Sequence, residues 1–213
     1  MSAGRCGCGS VATAGVTPAW VARGWARYGD RAWKPGDPRI IRYLPGSPSH
    51  DRDFALVAPV LSALLRERPG LRLELVGPLS FVLDAPADQV RHQPRVAFPD
   101  YLSVVRQPGI HLAPLEATPF TACKSALKVI EAAFWNQPTV CSPLPDAGRL
   151  TEAGACVATS VAEWRDWITR LLDDPAVYRG VTHGLRSRIL RQADIDRLAQ
   201  GWLGAMWRPA RGR

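Results

Sequence analysis

The chain has 213 residues and a formal net charge of +8, from 27 lysine and arginine residues against 19 aspartate and glutamate residues. Its 46% hydrophobic and 22% charged residues are ordinary for a soluble globular domain. No apolar run approaches the ~20 residues needed to span a bilayer, and the amino terminus lacks the apolar segment of a signal peptide. We therefore expect a cytoplasmic protein, whose positive charge is also compatible with association at the inner membrane face.

The basic and cysteine residues are dispersed rather than clustered. Only three of the 27 basic residues are lysines, namely Lys34, Lys124 and Lys128, and no basic run is interleaved with aromatic residues. This pattern argues against a nucleic-acid partner. Five cysteines scattered along the chain argue against a secreted disulfide framework. Cys6 and Cys8 have no second ligand pair at metal-site spacing, so we expect no metal.

The first 38 residues differ in character from the rest. Residues 1–15 are small, polar and glycine-rich, which predicts disorder, and residues 17–28 carry two tryptophans that fit a short helix. A Pro-Gly-Asp-Pro segment at 35–38 then breaks the chain. We predict a disordered or short helical lead-in over residues 1–38 and a folded domain over residues 39–213.

From residue 39 onward, short apolar runs alternate with helical patterns. The apolar runs predict strands at 39–44, 71–76, 96–98, 110–113, 139–142 and 155–158. Helices are predicted at 53–68, 125–136 and 161–172. Asp53 would cap the first, and Pro59 would kink it or mark a later start. Ser160 and Glu163 form a capping box for the third, which Pro175 ends, and the remainder is predicted to be helical to about residue 207. This alternation predicts an α/β fold, a Rossmann-like, doubly wound parallel sheet of roughly six strands that binds ligands at the carboxyl ends of its strands.

The predicted helix at 125–136 carries the most informative pattern. On a helix, Lys124, Lys128 and Glu131 fall within about 60° of one another, and we call these three residues the polar stripe. The apolar residues gather on the opposite side: Leu127, Ile130 and Phe134. Two cations near a helix amino terminus oppose the helix dipole, and a bound anion would resolve that conflict, with Ser125 as cap or hydroxyl donor. The alternative is a solvated face with Lys128 and Glu131 as a weak surface ion pair.

A second polar segment follows the first predicted strand. A Gly/Ser turn there, followed by a helix, is where many nucleotide folds bind phosphate, although the segment has neither a G-x-G-x-x-G motif nor a Walker lysine. His50, Asp51, Arg52 and Asp53 crowd four ionisable groups into one turn. Capping by Asp53, with the other three solvated, is an equally good interpretation. Metal ligation is less favoured because no further His or Cys stands at a helpful spacing.

Several motifs occur together and in order. They are G-S-P-S-H-D-R-D-F at 46–54, L-V-G at 75–77, A-P-L-E at 113–116, P-F-T-A-C-K-S-A-L-K-V-I-E-A-A at 119–133 and P-T-V-C-S-P at 138–143, followed by E-W at 163–164. From residue 39 to at least 172 the chain resembles the carboxyl-terminal domain of group 1, family 4-like glycosyltransferases, many of which build bacterial surface polysaccharides. The resemblance implies one half of a GT-B fold, the half that binds the donor.

The resemblance also implies residue roles. Gly46, Ser47 and Arg52 are similar to the loop that approaches the donor diphosphate, and Lys124, Ser125 and Lys128 are similar to the segment that faces it. Glu131 is similar to the second glutamate of a paired motif, whose carboxylate holds the ribose hydroxyls. The implied chemistry is sugar transfer from a nucleotide-diphosphate sugar, generally with retention and without an obligatory metal or other cofactor.

Two departures limit what the resemblance implies. The first glutamate of the pair is replaced by Cys123, and the acidic neighbour often found beside K-S-x-x-K is Ala122; the roles of Glu116 and Thr118 stay open. Relatives also have an acceptor-binding domain before residue 39, where this chain has 38 residues. The expected partner is therefore a separately encoded amino-terminal half. The alternatives are a truncated or inactive module that binds nucleotide sugar without turnover and, less favoured, an epimerase of the same fold.

Overall fold

The computed structural model describes residues 39–193 and 199–200. The predicted lead-in at 1–38, with Cys6 and Cys8, lies outside the described residues, as does most of the helical extension predicted beyond residue 193. The boundary between lead-in and domain stays a prediction.

Six parallel strands form one sheet in the order β3-β2-β1-β4-β5-β6. The strands are β1 (Arg39–Tyr43), β2 (Leu71–Val76), β3 (Val90–Gln93), β4 (Ile110–Ala113), β5 (Thr139–Cys141) and β6 (Cys156–Val157). This is the order of the doubly wound dinucleotide-binding fold, in which ligands bind outside the carboxyl ends of the strands where the order reverses. Here the reversal lies between β1 and β4, which pair through Tyr43 and Leu112. The predicted fold class is confirmed.

Helices cover both faces of the sheet. They are α1 (Asp51–Ala55), α2 (Ala58–Glu67), α3 (Phe98–Val105), α4 (Leu127–Phe134), α5 (Pro145–Gly148), α6 (Val161–Asp173), α7 (Pro175–Thr182) and α8 (Leu185–Ala193). One hydrophobic core joins the sheet to α1, α2, α6 and α7. The opposite face packs against α3, α4 and α8 in two smaller cores. Burial of apolar side chains on both faces fixes the sheet in the middle of the domain.

One predicted helix is divided, one predicted cap is wrong, and the helix end predicted at Pro175 is confirmed. The helix predicted at 53–68 is two helices, and the second begins late, as the alternative at Pro59 predicted, because a proline without an N–H is tolerated in the first turn of α2. Asp53 is inside α1 and does not cap it. The helix α6 ends at Asp173, and Pro175 begins α7, whose first N–H groups donate to the Asp174 side chain.

The predicted strand at 96–98 is wrong, since Phe98 begins α3. The third strand is instead Val90–Gln93, which the sequence analysis did not predict. The capping box is confirmed in its first half, because the Glu163 N–H donates to Ser160 Oγ over 3.2 Å. The Glu163 carboxylate, however, accepts from Thr159 rather than from Ser160.

Two turns bring the strand ends together at the carboxyl edge. Gly77, directly after β2, has a φ of +138°, and a Cβ there would collide with the Pro45 carbonyl oxygen in the turn after β1. Only glycine permits this close approach of the two turns. Asn136, which follows α4, has a φ of 55°, and a left-handed residue at this position is common where a helix ends.

Candidate functional site

A cavity of about 240 Å³ lies at the carboxyl edge of the sheet, beside the point where the strand order reverses. Its walls come from the segments that follow β4 and β5 and from the first turn of α4. Its polar side chains include His50, Lys124, Ser125 and Lys128. We call this space the edge cavity. It brings three residues of the predicted diphosphate-binding segment, Lys124, Ser125 and Lys128, together with His50, for which no ligand contact was predicted.

Lys128 is the most unusual charge in the edge cavity. Its Nζ lies 5.1 Å from the centre of the Tyr43 ring, which itself stacks on Phe54 in the core. Among the described residues, no carboxylate forms an ion pair with this ammonium group and no acceptor hydrogen-bonds to it. Burial, reinforced by Lys124, lowers the Lys128 pKa to about 8, although Asp53 and Glu131 oppose the shift. A half-buried cation held in this way would be stabilised by an anion entering the cavity.

The start of α4 differs from the prediction. The helix begins at Leu127 rather than Ser125, and its cap position is Ala126, so Lys124 and Ser125 precede the helix and Ser125 does not cap it. Asp146 of α5 takes that function, because its carboxylate accepts the Ala126 N–H over 2.7 Å. One donor at this helix end is therefore already bonded to a carboxylate of the protein. Asp146 was not predicted in this role, because it lies 20 positions after Ala126 and local spacing does not connect the two.

Lys124 lies beside the edge cavity, where its Nζ is 5.1 Å from the centre of the Phe120 ring. Phe120 is 74% exposed, so this contact lies at the surface. Lys124 and Lys128 therefore both border the cavity, as the polar stripe predicted, but from a loop and a helix rather than from one helical face.

Glu131 is buried, and it does not line the edge cavity. The Tyr101 hydroxyl of α3 donates to Glu131 Oε2 over 2.7 Å. Burial raises the Glu131 pKa, while this hydrogen bond and the charge of Lys128 oppose the rise. The solvated-face interpretation is therefore wrong for Glu131. Leu127, which was predicted on the side of the helix opposite the polar stripe, is 40% exposed and borders the edge cavity.

His50 and Asp53 form a hydrogen-bonded pair at the wall of the edge cavity. His50 Nδ1 lies 2.7 Å from Asp53 Oδ2, and both residues are buried. The second carboxylate oxygen of Asp53 accepts the Glu116 N–H over 2.8 Å, which ties α1 to the loop after β4. Burial lowers the His50 pKa, the charge of Lys128 lowers it further, and the bond to Asp53 opposes both effects. The spacing of three between the two residues was visible in the sequence, but the function of the pair was not predicted.

The other residues of the predicted diphosphate loop lie near the edge cavity without lining it. Ser47 Oγ lies 2.7 Å from Ser49 Oγ. The Arg52 side chain is 82% exposed and pairs with Glu116 over 3.3 Å between Nε and Oε2. Gly46 is adjacent to the His50 ring, since a Cβ added at Gly46 would be 3.9 Å from His50 Nε2. The loop thus reaches the cavity through His50.

The replacement at Cys123 is also placed by the structure. Cys123 is exposed in a short turn before Lys124, and its sulfur lies 3.5 Å from the Pro119 carbonyl oxygen. Within the part of the chain that the structure describes, no group of three or more His, Cys, Asp or Glu side chains could hold a metal ion. The helices described there include none long and apolar enough to cross a membrane.

The sheet order and the helices on both faces define a Rossmann-like domain, and this domain matches one half of the GT-B fold. The chain belongs to the glycosyl transferase-like family, whose model matches residues 53–204. Among curated protein sequences, none matches the chain.

Solved structures share the fold at low sequence identity. TarM of S. aureus has a TM-score of 0.61 at 11% identity, over 83% of this chain and 36% of TarM. HepE of Anabaena in complex with UDP-glucose has a TM-score of 0.58 at 13% identity, over 89% of this chain and 53% of HepE. WaaG, a glycosyltransferase involved in lipopolysaccharide biosynthesis, has a TM-score of 0.55 at 15% identity, over 84% and 51%. The chain thus spans between about a third and about half of the length of these structures.

Proposed function

We propose that this domain binds the donor of a glycosyltransferase, a nucleotide-diphosphate sugar, with the diphosphate at the edge cavity. Lys128 carries the proposal. It is a half-buried ammonium group with no carboxylate partner among the described residues, at the sheet edge where this fold binds ligands. A compact cation suits phosphate, and a protein rarely keeps a buried charge without a counter-charge.

The predicted residues of the proposed diphosphate site form two groups, one at the cavity and one in the adjoining loop. Lys124, Ser125 and Lys128 border the edge cavity and would contact phosphate oxygens directly. Gly46, Ser47 and Arg52 belong to the adjoining loop and would close over the ligand from the β1 side. The leaving group of the reaction is the nucleoside diphosphate, so cations placed here would stabilise the charge that develops as the sugar departs.

Glu131 is proposed to bind the ribose. Tyr101 already donates to one of its carboxylate oxygens, which leaves the other for a ribose hydroxyl. The cavity of about 240 Å³ is small for a whole nucleotide sugar, for which pockets of ~300–1,000 Å³ are usual. The nucleoside would therefore extend beyond it, towards Tyr101 of α3 and Glu131 of α4.

The nucleotide is proposed to be uridine diphosphate. HepE and TarM were crystallised with UDP, and a trehalose-phosphate synthase from Burkholderia xenovorans with a TM-score of 0.59 is described as UDP-forming. The acceptor would be a glycan or lipid-linked precursor of a surface polysaccharide, handled at the inner face of the membrane. An acceptor-binding half-domain, encoded in the same or a separate gene, would complete the site.

Calorimetry with UDP-, GDP-, ADP- and CDP-glucose tests the proposal on the described chain. We expect UDP-glucose to bind. We expect no transfer of glucose to a soluble acceptor unless the acceptor-binding half-domain is added. Lys128→Met should weaken UDP binding by about 10- to 100-fold, since it removes a charge-assisted contact worth about 1.5–3 kcal/mol, and should leave uridine unchanged. Arg165→Met on α6 is the matched control. Equal binding of all four nucleotides to wild type and Lys128→Met, or no binding at all, would refute the proposal.

A further inference from the structure

The His50–Asp53 pair is a polar feature of the edge cavity that the proposed lysine contacts leave unexplained. His50 is 9% exposed, and Asp53 is 4% exposed. A carboxylate accepts hydrogen bonds, so its bond to Asp53 places the ring proton of neutral His50 on Nδ1. The Nε2 atom is then an acceptor with a lone pair. Among the described residues, Nε2 has no hydrogen-bond partner. It is not one of the fully buried side-chain atoms without a partner, so part of its surface remains accessible.

The position of Nε2 relates it to the donor diphosphate. The His50 ring borders the same cavity as Lys128, and Nε2 lies beside Gly46. A neutral Nε2 would present its lone pair to phosphate oxygens, which also have only lone pairs. That contact is repulsive unless Nε2 carries a proton. A protonated ring would instead donate from Nε2 to phosphate while Nδ1 keeps its bond to Asp53.

We propose that His50 takes up a proton from solvent when the nucleotide sugar binds, and that its Nε2–H then donates to the donor diphosphate while Asp53 holds Nδ1. The inference rests on the proposed function. His50 thereby adds a third cation to the site, formed only in the presence of the anion. Asp53 is a positioning residue, which also fixes the loop after β4 through the Glu116 N–H.

The surrounding charges set the direction of the response. In the free protein, burial and then Lys128 lower the His50 pKa, with a smaller contribution from Lys124, while Asp53 opposes them. Asp51 lies on the same helix, and the Arg52–Glu116 pair faces the site from outside. A diphosphate would raise the His50 pKa by adding negative charge beside Lys128. Affinity should therefore be highest at low pH and should fall as pH rises through the pKa of the complex.

Proton uptake by His50 on ligand binding can be distinguished from proton uptake by Lys128. The Lys128 pKa is about 8 in the free protein, so at pH 6.5 this lysine is almost fully protonated and takes up little further proton on binding. Proton uptake near pH 6.5 therefore reports on His50. UDP-glucose is the suitable probe because its diphosphate is a diester and, unlike UDP, has no ionisation near this pH.

Calorimetric titration with UDP-glucose at pH 6.5, in non-phosphate buffers of different ionisation enthalpy, measures the proton uptake. Wild type should take up a measurable fraction of a proton per ligand, and its affinity should fall severalfold from pH 6 to pH 7, where Lys128 stays protonated and one linked proton allows at most about tenfold per pH unit. His50→Gln should reduce the uptake to near zero. His183→Gln, in the exposed turn between α7 and α8, is the matched control and should behave as wild type.

Nitrogen-detected NMR of the imidazole rings gives a second measurement on unaltered protein. The chain has four histidines, and UDP-glucose at pH 6.5 should convert one of them from the neutral, Nδ1-protonated form to imidazolium. If no ring changes its protonation on saturation, the inference is wrong, even where His50→Gln does not fold. Uptake that persists in folded His50→Gln overturns it as well.

These outcomes differ from failure of the proposed function. Wild type that binds UDP-glucose and loses affinity on Lys128→Met, but shows no proton uptake, retains the donor site and overturns only the role of His50. Wild type that does not bind UDP-glucose overturns both.

Discussion

Replacing Lys128 by methionine should make the free protein more stable while it weakens ligand binding. Burial lowers the Lys128 pKa from 10.5 to about 8. Each pKa unit corresponds to ~1.4 kcal/mol, so holding this lysine protonated in the folded chain at neutral pH costs up to about 3 kcal/mol. Methionine has a similar length and no charge; it loses the cation–π contact of Nζ with the Tyr43 ring, which offsets part of the gain, but its thioether can pack against an aromatic ring. We expect it to recover about 1–3 kcal/mol of unfolding free energy.

The pH dependence distinguishes this cause from better packing. A basic group whose pKa is lower in the folded chain than in the unfolded chain destabilises the fold. This destabilisation is complete at every pH below the folded pKa, and it disappears as the pH rises from the folded pKa to the unfolded pKa. The advantage of Lys128→Met over wild type should therefore be constant below about pH 8 and should shrink between about pH 8 and pH 10.5. Packing alone would give an advantage that does not change with pH.

Urea unfolding followed by circular dichroism, from pH 6 to pH 10, is the assay. In a thermal scan at pH 7 the midpoint should rise by about 2–12 °C, because each kcal/mol corresponds to ~2–4 °C for a chain of this size. Lys124→Met is the matched control, because Lys124 lies at the surface over Phe120, and its replacement should leave stability nearly unchanged. A Lys128→Met protein that is less stable than wild type by 1 kcal/mol or more would refute the reasoning and give Lys128 a structural role.

Three further predictions concern buried or strained positions. Glu131→Gln should keep stability within about 1 kcal/mol, because an amide oxygen can still accept from Tyr101, whereas Glu131→Ala should cost about 1–3 kcal/mol of unfolding free energy by leaving a buried hydroxyl unpaired; equal losses for the two variants in urea unfolding would contradict this. Gly77→Ala should cost more than 1 kcal/mol, because φ is positive and the Pro45 carbonyl occupies the space, and a thermal midpoint like that of wild type would be the contrary result. Burial lowers the pKa of His111 to about 3, and Arg42 contributes, so stability should be lost as pH falls from about 6.5 towards 3; His111→Gln should flatten that slope, and an unchanged slope would count against it.

The sequence predicted most strands because their buried positions are apolar. Ile110–Ala113 is buried throughout, and in Leu71–Val76 the buried leucines alternate with Arg72 and Glu74, which is also a strand pattern. The edge strand Val90–Gln93 was missed because an edge tolerates Arg91, His92 and Gln93, which read as loop. The apolar triplet at 96–98 was misread because Phe98 begins a helix with Pro99 in its first turn, where proline is favoured.

The sequence indicated that Lys124 and Lys128 lie together, but it did not indicate how the residues around them are arranged. The spacing of Lys124 and Lys128 indicated that both face one ligand, and both do border one cavity. Helical periodicity alone could not show that Glu131 is buried, because its partner Tyr101 comes from another helix, 30 residues earlier. The cap by Asp146 and the contact between Asp53 and the Glu116 N–H depend on tertiary structure, which local patterns do not contain.

The edge strand β3 affects how readily the protein self-associates at high concentration. An outermost strand offers a row of backbone groups to which a neighbouring molecule can add by strand pairing. Here that strand has only four residues, and Arg91 and His92 are exposed on it. Short length and positive charge both disfavour stacking of one molecule against another. Replacing Arg91 with threonine would remove its charge, and light scattering during storage should then record faster self-association than for wild type.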